Sequence, residues 1–161
     1  MTTHGTRSLL VFLVTLGFAT FLAPTGVRAA TCGFNSVSTL AFGAYDVFAV
    51  ADLDSVGTIS YTCTAVVPGD TVRIDLNVGT GGPSYTPRQL QSGIHRMDFN
   101  IYLDAARTAI WGDGSSSTSF YTRTNPPDGT PVLVNTYGRI PAGQSIPVGA
   151  YSSTITVTMS F

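Results

Sequence analysis

From Thr154 to Phe161 apolar and hydroxyl-bearing residues alternate without a break. Ile155, Val157, Met159 and Phe161 share one face, and Thr154, Thr156, Thr158 and Ser160 share the other. A period of two fits a β-strand buried on one side, and no helix sorts these residues into faces. The pattern recurs upstream. Ile59, Tyr61 and Cys63 oppose Thr58, Ser60, Thr62 and Thr64. Val72, Ile74, Leu76 and Val78 oppose Arg73, Asp75 and Asn77, and Met97, Phe99, Ile101 and Leu103 form a third inward set. Further strands are expected near Val37–Phe42 (stopped at Gly43), near Trp111 and over Pro131–Ile140. Clusters of Gly, Pro, Asp and Ser separate them, and no window of about ten residues reads as helix. About seven short strands with such spacing predict an all-β sandwich of two antiparallel sheets.

The charged residues agree. Every acid is Asp and every base is Arg, so Glu and Lys, which populate exposed helices, are absent. After residue 29, six arginines face nine aspartates, a net charge of −3. The arginines are scattered singly, which argues against nucleic acid and against a membrane surface as partners.

The first residues have a different character. Arg7 precedes an apolar stretch from Leu9 to about Ala23, followed by Pro24, Gly26 and small residues, the layout of a secretory signal peptide. The stretch is shorter than the ~20 residues of a membrane span. Residues 1–29 are expected to be removed, with no membrane anchor left after cleavage, and residues 30–161 to form one domain. Two cysteines, Cys32 and Cys63, follow the signal; in an exported chain they are expected to pair as one disulfide.

Sites of chemistry are sparse. In "WGDG" (Trp111–Gly114) only Asp113 could serve calcium, and the following helix and Lys of phosphate loops are missing. A hairpin turn beside a packed tryptophan explains it better. Asp98 and Asp104 flank a strand on its outward face, with nothing to separate their pKa values. His95 has no nucleophile or second metal ligand in view. No enzyme activity, metal or cofactor is therefore expected. "SYTPRQ" and "FYTRT" carry Tyr85, Arg88, Tyr121 and Arg123 in what read as exposed loops. There they would either stack on sugars or a partner protein, or serve as ordinary loop residues.

Four stretches, "FGAYD" (Phe42–Asp46), "GTISYTC" (Gly57–Cys63), "IYLDAARTAIWGDG" (Ile101–Gly114) and "YGRIPAGQSIPVGAYSSTITVTMSF" (from Tyr137), together resemble the spore coat U domain. This is the subunit domain of archaic chaperone–usher pili, which build biofilm fimbriae. The resemblance implies an incomplete immunoglobulin-like, pilin-type sandwich that lacks its final strand and is completed by a donor strand from a partner. It implies a periplasmic chaperone, an outer-membrane usher and a neighbouring pilus subunit as partners, and export through the periplasm to the cell surface. It places Ile155, Val157, Met159 and Phe161 beside the open groove, with Phe161 and its carboxylate anchoring the chaperone. Only Ala30 and Thr31 of the expected mature chain precede Cys32, too little for a donor arm, so a tip or coat position is expected. The alternatives are a spore-coat or matrix protein that folds alone, and a small adhesin or lectin-like module that uses the aromatic loops.

Overall fold

The computed structural model describes residues 29–161; the segment read as a signal peptide lies outside them except for Ala29. Eight strands follow in order among the described residues: β1 (Thr31–Val37), β2 (Leu53–Thr64), β3 (Thr71–Leu76), β4 (Arg88–Ser92), β5 (His95–Tyr102), β6 (Tyr121–Thr124), β7 (Val132–Ile140) and β8 (Val157–Ser160). One sheet has the order β1-β2-β7-β5-β4 and the other β6-β3-β8, with every strand pair antiparallel. No helix long and apolar enough to cross a membrane occurs among the described residues.

The alternating residues meet between the sheets. Ile59, Tyr61 and Cys63 of β2 face Val72, Ile74 and Leu76 of β3, and Met97, Phe99 and Ile101 of β5 join them, all nearly devoid of solvent contact. Trp111 lies between the sheets, fully buried: its Nε1 donates to the Ile74 carbonyl (2.9 Å) and its amide to the Ile101 carbonyl (2.8 Å), joining the two sheets. Cys32 and Cys63 are directly opposite in the β1–β2 register and are disulfide-bonded.

Three expectations need correction. The first strand ends, rather than begins, at Val37. The disulfide draws Thr31–Val37 alongside β2, and after Ser38 the chain leaves that edge to cross the inner face of the sheet. There Leu40 and Phe42 pack over Gly138, where an added Cβ would come 2.7 Å from the Phe42 ring. The residues after Trp111 do not form a hairpin, because the Trp111–Ser119 bridge is parallel and the loop between them is wide. Tyr85 and Arg88 are not surface residues: Tyr85 is 8% exposed and Arg88 fully buried. Arg88 donates to the carbonyls of Asn77 (2.9 Å) and Trp111 (2.6 Å) and to Asn100 Oδ1 (2.9 Å). Backbone carbonyls, which sequence does not display, make that burial tolerable. Burial pushes the guanidinium down to about 10, so it keeps its charge at neutral pH.

Candidate functional site

The two sheets do not close along one side. Between residues 37–48 and residues 146–157 runs a groove of about 950 Å³. Its floor is apolar: Ile59, Leu76, Leu90, Met97, Phe99, Ile101 and Ile140, drawn from both sheets. One wall carries Leu40, Phe42, Tyr45 and Phe48, the other Tyr151, Ile155 and Val157. Asp46 is the one acidic residue in the lining, and its carboxylate accepts from the Phe48 amide (2.9 Å). At one end Phe48 and Val148, 89% and 105% exposed, hold apolar surface up on opposite lips.

Backbone polarity makes the groove more than an apolar slot. The segment leading into β8 uses its even-numbered residues to bond inward. Ser152 exchanges both bonds with Gln91, the Thr154 carbonyl accepts from Thr80 N (3.2 Å), and the Thr156 carbonyl accepts from Asn77 N (3.1 Å). In an extended chain successive N–H and C=O pairs point to opposite edges. The odd residues, Ser153, Ile155 and Val157, therefore direct their backbone groups toward the groove edge while the Ile155 and Val157 side chains line it. β8 pairs with β3 only and ends its sheet. The facing wall is held at few points: Ser38 to Thr58, the Ala41 carbonyl to Ser55 Oγ, and Tyr45 Oη to the Pro141 carbonyl (2.9 Å) and from the Gln144 amide (2.9 Å). The groove thus has two backbone edges about an apolar floor, the environment of a strand position.

Of the four residues expected beside the groove, Ile155 and Val157 line it. Met159 instead faces Ile74 across the β3–β8 register and packs on the core. Phe161 is 58% exposed and is not part of the lining. Alternation put all four on one face, but the groove runs toward β4 and β5, away from the end of β8. Sequence reasoning missed the opposite wall. Leu40 and Phe42 were read as a paired strand, and Phe48 carries no periodic signal. Of the aromatic loop residues, Tyr121 is half-buried, with its hydroxyl 3.2 Å from that of Tyr61, while Arg123 is exposed on β6.

Apart from Asp46, the groove lining carries no charged side chain. Asp54 on β2 meets Arg139 Nε (2.8 Å) on the paired β7 and Arg107 Nε (3.2 Å) from the loop after β5. The hydrogen bond from Arg139, helped by Arg107, holds its carboxyl below the usual value. Asp104 is lowered by the amide of Ala109 and by Thr108, whose hydroxyl and amide it also accepts, which makes it a turn cap. Among the described residues no cluster of three or more His, Cys, Asp or Glu could hold a metal ion.

Comparison with known proteins bears on this geometry. The model of the family described as Spore Coat Protein U domain matches residues 18–158. The protein named Protein U of Myxococcus xanthus is 30% identical over 135 residues, which are 76% of this chain and 72% of that protein. The fold is shared with a chain in the crystal structure of the CsuC–CsuE chaperone–tip adhesion subunit pre-assembly complex from archaic chaperone–usher Csu pili of Acinetobacter baumannii. The TM-score is 0.58 at 19% identity, over 83% of this chain. The present chain spans 40% of that one.

Proposed function

The chain belongs to the spore coat protein U domain family, and on that premise we propose that it is an exported structural subunit of a surface fibre, built by strand addition. The observation that carries the reading is the open apolar groove with an unpaired β8 edge. An extended segment from a partner lays its backbone against that edge and its alternate apolar side chains on the floor. A periplasmic chaperone fills the groove first. An outer-membrane usher then exchanges it for the strand of a neighbouring subunit. Ile155 and Val157 contact the incoming strand directly, while Met159 and Phe161 extend the same edge. The role is structural and non-catalytic, the destination is the cell surface, and biofilm adhesion is the use.

The scale of the interaction supports the reading. Burying four or five apolar side chains at ~1.5–3 kcal/mol each is comparable with the ~5–15 kcal/mol net stability of a domain. A domain with that surface uncovered needs a protecting partner. Residues 31–37 are committed to β1 by the Cys32–Cys63 bond, so a strand that this chain gives to another comes from before Cys32. The fibre tip is the position suited to a subunit that accepts a strand and gives none. Mass spectrometry of the exported protein decides that point: a donor arm of about ten or more residues before Cys32 places it in the shaft instead.

Isothermal titration of the oxidised protein with an alternating apolar peptide tests the groove. Saturable one-to-one binding, lost when Ile155 and Val157 are both replaced by Asp, supports the proposal. Absence of binding to a folded protein contradicts it. Formation of an ordered coat rests on the same strand addition and differs only in the partner that supplies the strand.

A further inference from the structure

We infer that the hydroxyls of Thr136 and Ser38 read a hydrogen-bonding side chain on the strand the groove accepts, and so fix its register. The inference rests on the strand-accepting reading of the groove and specifies the chemistry of its occupant.

An apolar floor leaves a register problem. Sliding a strand by one residue turns its apolar face outward, but sliding it by two restores the alternation. A groove floored only by side chains such as Ile59, Phe99 and Ile101 holds registers two residues apart with similar affinity. One polar point among apolar neighbours removes that degeneracy, as a single buried polar residue does in a coiled coil.

Thr136 is such a point. It lies in the inward set of β7 between Val134 and Gly138, is 6% exposed, and lines the groove. Among the described residues its hydroxyl takes part in no hydrogen bond, yet no side-chain oxygen or nitrogen is sealed from solvent without a partner; the hydroxyl therefore opens on the groove. Its partner across the β2–β7 register is Gly57. A Cβ on Gly57 would come 2.8 Å from Thr136 Oγ1 and 2.9 Å from Ser38 Oγ, so the missing side chain is the space into which two hydroxyls converge. Ser38 Oγ already accepts from the Thr58 amide (2.7 Å), which leaves its proton to donate. Together the pair offers a donor and an acceptor to one side chain. The matching residue on the accepted strand is Ser, Thr or Asn at an inward position otherwise held by Val, Leu or Ile. A methyl group there shuts off the Thr136 hydroxyl and the free proton of Ser38 from water, and that penalty is the selectivity.

The test is a titration of the oxidised protein with peptides of about twelve residues, each with Val at every inward position except one Thr, walked along the strand. One position should bind about tenfold more tightly than the others. In Thr136→Val, which keeps the side-chain shape, that preference should vanish while the all-Val peptide binds more tightly; Ser38→Ala should reduce the preference in the same direction. Thermal unfolding confirms that both variants are folded. If Thr weakens binding equally at every position, in the wild type and in Thr136→Val alike, the register inference is overturned while strand acceptance stands. If no peptide binds to the folded protein, strand acceptance fails, and the inference fails with it.

Discussion

Gly138 lies directly beneath Phe42: a Cβ added to it would come 2.7 Å from the Phe42 ring and 3.1 Å from Leu40. Phe42 in turn meets Phe99 edge-on, with ring centroids 6.2 Å apart. The wall of the groove is therefore seated on a glycine of β7 and braced by a floor residue of β5. Gly138→Ala is expected to lift Phe42 and narrow the groove, at a cost of ~1–3 kcal/mol typical of overpacking. Urea denaturation measures the loss. Peptide titration should show a weaker affinity than the stability change alone would produce.

Arg88 is expected to contribute heavily to stability although it touches neither groove nor charge partner. Replacing it with Met leaves the carbonyls of Asn77 and Trp111 without the guanidinium that donates to them, while Asn100 Oδ1 keeps only the Ile101 amide. With each stranded buried acceptor costing ~1–3 kcal/mol, the loss should exceed that of Arg123→Met on the exposed β6. Comparing the two denaturation midpoints, with a red shift of Trp111 emission in the first alone, checks this.

The disulfide closes a loop between residues 31 positions apart. Its removal by Cys32→Ser and Cys63→Ser should cost ~2–5 kcal/mol. It should also free β1, which hydrogen exchange would register as lost protection over Thr31–Val37.

Acid should loosen the Asp54 cluster. The folded pKa of Asp54 is depressed by Arg139 and Arg107, so its contribution is present above the unfolded carboxylate value near ~3.9. That contribution disappears as pH falls through the lower, folded value. Asp54→Asn should remove that contribution at pH 7, where it is fully present, and flatten the fall in stability over the acid range, so that variant and wild type converge at low pH. Both groups are partly exposed, so added salt should weaken the wild-type effect.

Much of this fold was legible in the residues. Alternation at Ile59–Cys63, Val72–Leu76 and Met97–Ile101 announced three core strands, because burial on one face imposes a period that sequence records directly. The pairing of Cys32 with Cys63 followed from their number and from the signal-like layout of the residues before them. The groove was half legible. Ile155 and Val157 were found by the same alternation, but that rule cannot say where along a strand an opening ends, and so it also claimed Met159 and Phe161. The opposite wall was hidden for another reason. Leu40 and Phe42 alternate like strand residues, but Gly57 and Gly138 make room for them on the inner face instead of at an edge. That is a long-range fit, with no local signal. Tyr85 and Arg88 looked exposed because Pro and Gly surround them, and only the carbonyls that meet the guanidinium explain their burial.

The central claim is that this sandwich is one strand short. It is tested most directly by fusing an alternating apolar strand of about twelve residues after Phe161 through a flexible linker and measuring thermal unfolding of the oxidised protein with and without it. Covering the groove is worth several kcal/mol, and 1 kcal/mol shifts the melting temperature of a domain this size by ~3–6 °C. The account expects a rise of tens of degrees, abolished when the inward residues of the fused strand are changed to Asp. An unchanged melting temperature, from a protein already stable and monomeric, would contradict it and mean that the sandwich is complete as it stands.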